Sequence, residues 1–235
     1  MKHLGILVLL AGAILAFGAA PASATSECRG LPVCVRVAGP WVVVPGGSAV
    51  PRPRVEFQLS CPRGFVVGGL DAELSDRAIE LGFLGKLGSP VGPGVTTSRS
   101  VVFVATYVGS AGRTPTFRAH LGCLPATGGG AGPVPFRLSA AFPPGEPTVR
   151  RVRTAALRQG QTRAVAACAA GERLISGWHA VGFYTSAAPT PELIQSVVAT
   201  RKLRNARVEA TVRAGPAVRG VRAIVQVGAV CGGGQ

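Results

Sequence analysis

The chain has 235 residues, a formal charge of +15 at pH 7, 33 glycines, 19 prolines and only 6% aromatic residues. Valine, alanine and leucine carry the apolar content, which speaks against long helices and for many short strands joined by tight turns. Beyond position 24 the basic residues are all arginine except Lys86 and Lys202, a bias that a GC-rich coding sequence produces as readily as selection for an anionic partner.

Met1-Lys2-His3 is basic, Leu4 to Ala20 is an almost unbroken apolar run, and Ala22-Ser23-Ala24 supplies the small residues of a cleavage site. The pattern predicts a secretory signal peptide over residues 1–24, cut after Ala24. An uncleaved anchor is the alternative, because the run approaches the ~20 residues that span a bilayer. No later segment is both long and apolar enough to cross, so the expected product is secreted or cell-wall-associated, with no membrane span after signal cleavage. All six cysteines follow residue 24, and an even count in an oxidising compartment points to disulfides.

In chain order, Cys28 to Cys34 could close a small ring with Gly30 and Pro32 at its turn, pinning the N-terminus. Val35–Val37 and Trp41–Val44 read as two short strands split by Gly39-Pro40. Trp41 reads as a core anchor, with a sugar-stacking surface tryptophan as the rival. Val55 to Cys61 alternates with period two, Cys61-Pro62-Arg63-Gly64 is a turn, and Phe65 starts another strand. Gly68-Gly69 inside it predicts a bulge or a close backbone approach. Ala78–Leu84 is a further apolar-rich run, followed by a Gly/Pro-rich loop over residues 85–97. Val101–Val108 and Thr116–Cys123 are expected to form a hairpin across Gly109-Ser110-Ala111-Gly112.

The glycine-rich stretch 125–135 is the best boundary candidate, after which Phe136–Phe142 resumes as a strand. Val149–Ala156, Arg163–Ala167, Leu193–Ala199, Val208–Val212 and Val221–Val230 supply the later strands. Thr190-Pro191-Glu192 resembles a helix start, yet the window from Leu193 is read as a strand to match Ala78–Leu84.

Two stretches echo one another. Cys168 lies 107 positions beyond Cys61 and Cys231 lies 108 beyond Cys123, and each opening cysteine is followed three residues later by a glycine. One unit used twice accounts for this. Six cysteines allow fifteen pairings, and the echo selects Cys61 with Cys123, Cys168 with Cys231, and the remaining Cys28 with Cys34. The match between the units is loose in places: Pro62 becomes Ala169, and Ser176-Gly177 stands roughly where Gly68-Gly69 stood. Cys-Pro-x-Gly followed by Val-x-Gly-Gly and a closing cysteine about sixty residues on resembles exported bacterial proteins, many of them actinobacterial, with no known activity. The resemblance implies a secreted β domain and supplies no catalytic residue.

Candidate chemistry is sparse. His120 alternates with the apolar face and is expected on the surface, whereas His179 follows Trp178 and could line a pocket. Asp71, Glu73, Asp76 and Glu80 form the one acidic cluster, read as surface acids bridged to Arg63 and Arg77. No zinc-ligand spacing or nucleophile elbow occurs, so no metal or cofactor is expected. Residues 25–140 hold eleven basic against six acidic side chains, whereas residues 141–235 hold thirteen against four.

The expected fold is all-β: two tandem related disulfide-bracketed units, β-sandwich-like, with a short N-terminal disulfide loop. After the signal peptide, residues 25–128 form the first unit with its loop, 129–147 a linker and connecting strand, and 148–235 the second unit. The expected function is non-enzymatic binding or a structural role at the cell envelope. Arg150, Arg151, Arg153, Arg201, Lys202, Arg204 and Arg207 would contact an anionic envelope polymer, with another surface protein as the other possible partner. Without interleaved aromatics, nucleic acid is not expected. The alternatives are a secreted carbohydrate-binding module using Trp41 or Trp178, a glycoside hydrolase using Asp71 and Glu73, or a site around His179.

Overall fold

The computed structural model describes residues 25–31, 33–84, 99–126 and 148–232. The expected signal peptide, the expected loop after Leu84, the expected linker over 129–147 and the expected strand Phe136–Phe142 lie outside the described residues. Within them the chain forms twelve strands: β1 (Val35–Val43), β2 (Arg54–Ser60), β3 (Phe65–Leu74), β4 (Ile79–Leu84), β5 (Ser100–Tyr107), β6 (Thr116–Pro125), β7 (Thr148–Leu157), β8 (Gly160–Ala167), β9 (Arg173–Tyr184), β10 (Val197–Arg204), β11 (Arg207–Ala214) and β12 (Arg222–Gly232). One short helix, α1 (Pro191–Gln195), precedes β10. The protein is all-β.

Three sheets result. A six-stranded sheet has the order β3-β6-β1-β9-β12-β7, and two three-stranded sheets have the orders β2-β5-β4 and β10-β11-β8. The first six strands and the last six take the same places: third, sixth and first in the large sheet, second, fifth and fourth in a small one. The small sheets cover opposite faces of the large one. Val42 and Val44 join Trp178, Ala180 and Ile224 in the core beneath β2-β5-β4. Val181, Phe183, Val225, Val227 and Ala229 enter the other core, beneath β10-β11-β8. The antiparallel join explains the inversion, since strands that alternate side chains between two faces meet head to tail where β1 pairs β9.

That join is short. Trp41 pairs Phe183 and Val42 pairs Gly182; a Cβ at Gly182 would meet the Pro40 ring at 2.6 Å, so a glycine is what lets the two strands close up. Side chains add to it. The buried Gln226 of β12 accepts from the Gln58 amide at 2.7 Å and donates to the Gln58 carbonyl at 3.0 Å, satisfying an edge-strand residue of β2 as a neighbouring strand would. Glu56, also buried, is held by Arg54 at 2.9 Å and by Arg150, from the other half of the chain, at 2.6 Å.

All three expected disulfides are present: Cys28–Cys34, Cys61–Cys123 and Cys168–Cys231. The two long ones each tie the residue just after a small-sheet strand to the closing strand of the large sheet, so they cross the core. By chain entropy, loops of about sixty residues are each worth roughly 4 kcal/mol. Cys123 and Cys231 are fully buried, as their alternation requires.

Several expectations are corrected. Segments Val101–Val108 and Thr116–Cys123 are strands but no hairpin: β5 pairs with β2 and β4, while β6 pairs with β1 and β3. The segment between them arches from one sheet to the other, and Phe103 meets Phe117 across the core with ring centroids 6.5 Å apart. Gly39-Pro40 does not end a strand; β1 runs through it with a register shift between Ala38 and Trp41. Leu193 to Gln195 is helical rather than extended, because the Thr190 side chain accepts from the Leu193 amide and Pro191 opens the turn. The bulge matching the Val67–Gly69 irregularity lies between Leu174 and Ser176, so Ile175-Ser176 takes the place that Ser176-Gly177 was expected to fill.

Replacing Gln226 with alanine is expected to lower stability by about 2–3 kcal/mol in urea denaturation, since both Gln58 backbone groups lose their partner. A loss under about 0.5 kcal/mol would show that the junction does not need this amide.

Candidate functional site

The seven basic residues singled out from the sequence have different environments in the fold. Arg150 is consumed by Glu56. Arg151 is consumed by Glu172, its Nε donating at 2.8 Å and its Nη2 to the second carboxylate oxygen. This fork, with the Ala169 amide at 2.7 Å, holds the Glu172 carboxyl at about 2, against 4.5 ordinarily; the Arg151 hydrogen bonds are the main cause. Arg201 turns inward, its Nη1 donating to the Gly177 carbonyl at 2.6 Å. Arg153 is exposed on β7, apart from the rest.

Lys202, Arg204 and Arg207 are brought together. β10 and β11 pair along their whole length, with Arg204 opposite Arg207 and Lys202 opposite Glu209. Asn205 adopts a left-handed conformation at the tip between them, which a short polar side chain tolerates. Along β11 burial alternates strictly, with Val208, Ala210, Val212 and Ala214 inward and Arg207, Glu209, Thr211 and Arg213 outward. Arg163 of β8, opposite Thr211, adds to the same outer face and pairs with Glu209 at 2.6 Å. Four cations therefore remain on this face without an ion pair among the described residues: Lys202, Arg204, Arg207 and Arg213. Sequence reading missed Arg213, although the same two-residue alternation that places Arg207 outward extends to it.

The acids are not a surface cluster bridged to Arg63 and Arg77. Asp71 accepts from the Ser26 amide and hydroxyl and from the Ala72 amide. Burial raises its carboxyl, but these hydrogen bonds and nearby His120 outweigh it and hold the group below its usual value. Glu73 lies 2.8 Å from His120 Nε2, placed for an ion pair. Asp76 takes its bonds from the Ala78 amide, Arg113 and Tyr107.

His120 is buried, not exposed. The N-terminal loop lies over it, and Glu27, 2% exposed, comes within 4.0 Å of its Nδ1. Gly69 and Gly122 make this possible, since a Cβ there would sit 1.9 and 2.1 Å from the Glu27 carbonyl oxygen. The close approach expected at Gly68-Gly69 is thus the seat of the disulfide loop. Neither tryptophan offers a ring to a sugar, because Trp41 and Trp178 are 5% and 4% exposed.

His179 lies on β9 beside Arg201, in a cleft between the halves. Burial, then the Arg201 charge, lowers its pKa below the usual value. Cys168, Glu172 and Cys231 come together, but the two sulfurs are joined and present no thiolate to a metal. No helix among the described residues is long and apolar enough to cross a membrane. The architecture and its three disulfides define an all-β protein suited to an oxidising, non-cytoplasmic setting. Comparison with protein-family models, curated proteins and solved structures finds no match to this chain.

Two outcomes follow from this geometry. The stability supplied by Glu172 is fully present above its unfolded value near 4.5 and is lost as pH falls through about 2; Glu172→Gln should therefore flatten the urea midpoint against pH in that window, and an unchanged slope would remove the fork from the acid response. Gly122→Ala should lift the N-terminal loop and speed reduction of Cys28–Cys34 by a mild thiol, while a rate equal to the parent would mean the loop is not seated by that contact.

Proposed function

We propose that the protein is an exported, non-enzymatic binding module that holds an anionic polymer of the cell envelope on the outer face of the β10-β11-β8 sheet. The observation that carries this reading is the co-facial set Lys202, Arg204, Arg207 and Arg213, with Glu209 already taken by Arg163. Same-face residues recur every ~7 Å along a strand and ~5 Å across strands, a spacing suited to a line of phosphate or carboxylate groups. Arg150 and Arg151 drop out of the binding set, because their charges are spent inside the fold.

Export rests on the signal pattern before residue 25 and is in keeping with the disulfides. We read the two halves as copies of one six-strand unit, supported by the matching strand order and the matching disulfides. The first copy supplies the scaffold and the second the ligand face, since the small sheet of the first has no comparable row of cations: β4 carries Glu80, and Arg54 of β2 is paired with Glu56. A hydrolase reading finds little support in Asp71 and Glu73, which are spent on the N-terminal loop and His120.

Titration with inorganic polyphosphate over a range of NaCl concentrations tests the proposal. Binding should weaken with salt. Arg204→Gln with Arg207→Gln should weaken it about tenfold or more and reduce the salt slope by roughly two. Arg153→Gln, exposed on β7 away from this face, should leave it unchanged. Salt-insensitive binding, or binding indifferent to the 204/207 pair, would refute the face.

A further inference from the structure

The pairing between β1 and β9 covers only Trp41–Val42 and Gly182–Phe183. β1 then leaves the sheet after Val43, while β9 reaches back to Arg173 with no β1 partner along that edge. A cleft of about 540 Å³ opens there, walled by Val43 and Val55 from the first half and by Val181, Ile194 and Val197 from the second. This volume lies within the range typical of small-molecule sites, roughly 300–1,000 Å³.

Against these apolar walls stand Arg54, His179 and Arg201, with no carboxylate among the lining residues. Arg201 is fixed by its bond to the Gly177 carbonyl, two residues from His179 on the same strand. Arg54 is fixed from the opposite wall by Glu56. The Nδ1 of His179 is buried and has no hydrogen-bond partner. Positive charge held beside apolar walls favours an occupant with both characters: a hydrated anion gains nothing from valine and isoleucine, and a neutral apolar molecule leaves Arg201 without a counter-charge.

We propose that this cleft binds a single-chain amphiphile with an anionic head group, the head at His179 and Arg201 and the alkyl chain along the valine and isoleucine walls. The site is separate from the polyanion face, which lies on the outside of the β10-β11-β8 sheet, and it stands or falls independently. A carboxylate and a phosphate head share the chemistry required. An anion beside His179 favours the imidazolium, opposing both burial and Arg201, and the other charged group of the walls, Arg54, adds no competing negative charge. Binding should therefore tighten as pH falls and should raise the midpoint of the His179 titration.

Calorimetry and imidazole NMR of the full exported chain with decanoate, decyl phosphate, 1-decanol and inorganic phosphate test the assignment. Decanoate or decyl phosphate should bind once per chain, move the His179 resonances, and leave those of His120 in place. The tighter of the two names the head group. Octanoate should bind more weakly than decanoate by about threefold to fourfold per methylene. Arg201→Gln should cost about tenfold, and Ala199→Phe, which fills the cleft from β10, should abolish binding. Decanol binding as tightly as decanoate, phosphate binding as tightly as decyl phosphate, His179 unmoved in the unaltered protein, or neither substitution having an effect would each overturn the proposal.

Discussion

Everything in this fold depends on a two-residue seam. Trp41 and Val42 of β1 meet Phe183 and Gly182 of β9, and that contact turns two three-stranded halves into one six-stranded sheet. The strands meet antiparallel, so the second half is turned over relative to the first and its small sheet packs on the opposite face. Backbone pairing of this length contributes little by itself. The seam holds because apolar side chains continue through it on both faces and because Gln226 and Arg150 reach across to Gln58 and Glu56.

The inversion decides what each surface can do. On the face left bare by the small sheet of the first half, the N-terminal loop settles over Gly69, Gly122 and His120, placing Glu27 and the Cys28–Cys34 bridge on the side a sheet would otherwise cover. On the corresponding face of the second half, Trp178, Ala180 and Ile224 are covered by the β2 side of the first half. Among the described residues neither covers the outer face of β10-β11-β8, where Arg207 and Arg213 point outward. The cleft at His179 is the remainder of the same arithmetic: where β1 ends, the large sheet is open.

Most strands and the disulfide pairing were legible in the sequence because each rests on local signals: alternation, turn residues and the spacing of cysteines. Partners distant along the chain were not. Alternation cannot tell which sheet a strand joins, so β5 and β6 read as a hairpin when they face each other across the core. β9, the longest strand, left no clear mark, since Trp178 and Ala180 enter one core, Val181 and Phe183 the other, and Ser176 and Gly177 interrupt its apolar pattern. The arginines showed the same limit. Their abundance pointed to the second half, but only folding sorts Arg150 and Arg151, matched to acids 94 and 21 positions away, from Lys202, Arg204 and Arg207, matched to none among the described residues.

The placement of the long disulfides also governs how the chain would survive proteolysis. A cut between Cys61 and Cys123, or between Cys168 and Cys231, leaves the pieces covalently joined, because each bridge spans the wound. No bridge spans a cut between Cys123 and Cys168, so the halves would then be held only by the seam, its glutamine and arginine ties and the core that both halves share. The chain is thus protected inside its bridges and exposed to separation outside them, and a protein nicked between the halves would owe its continued assembly to the shared core, Gln226, Arg150 and the four residues of the β1–β9 contact.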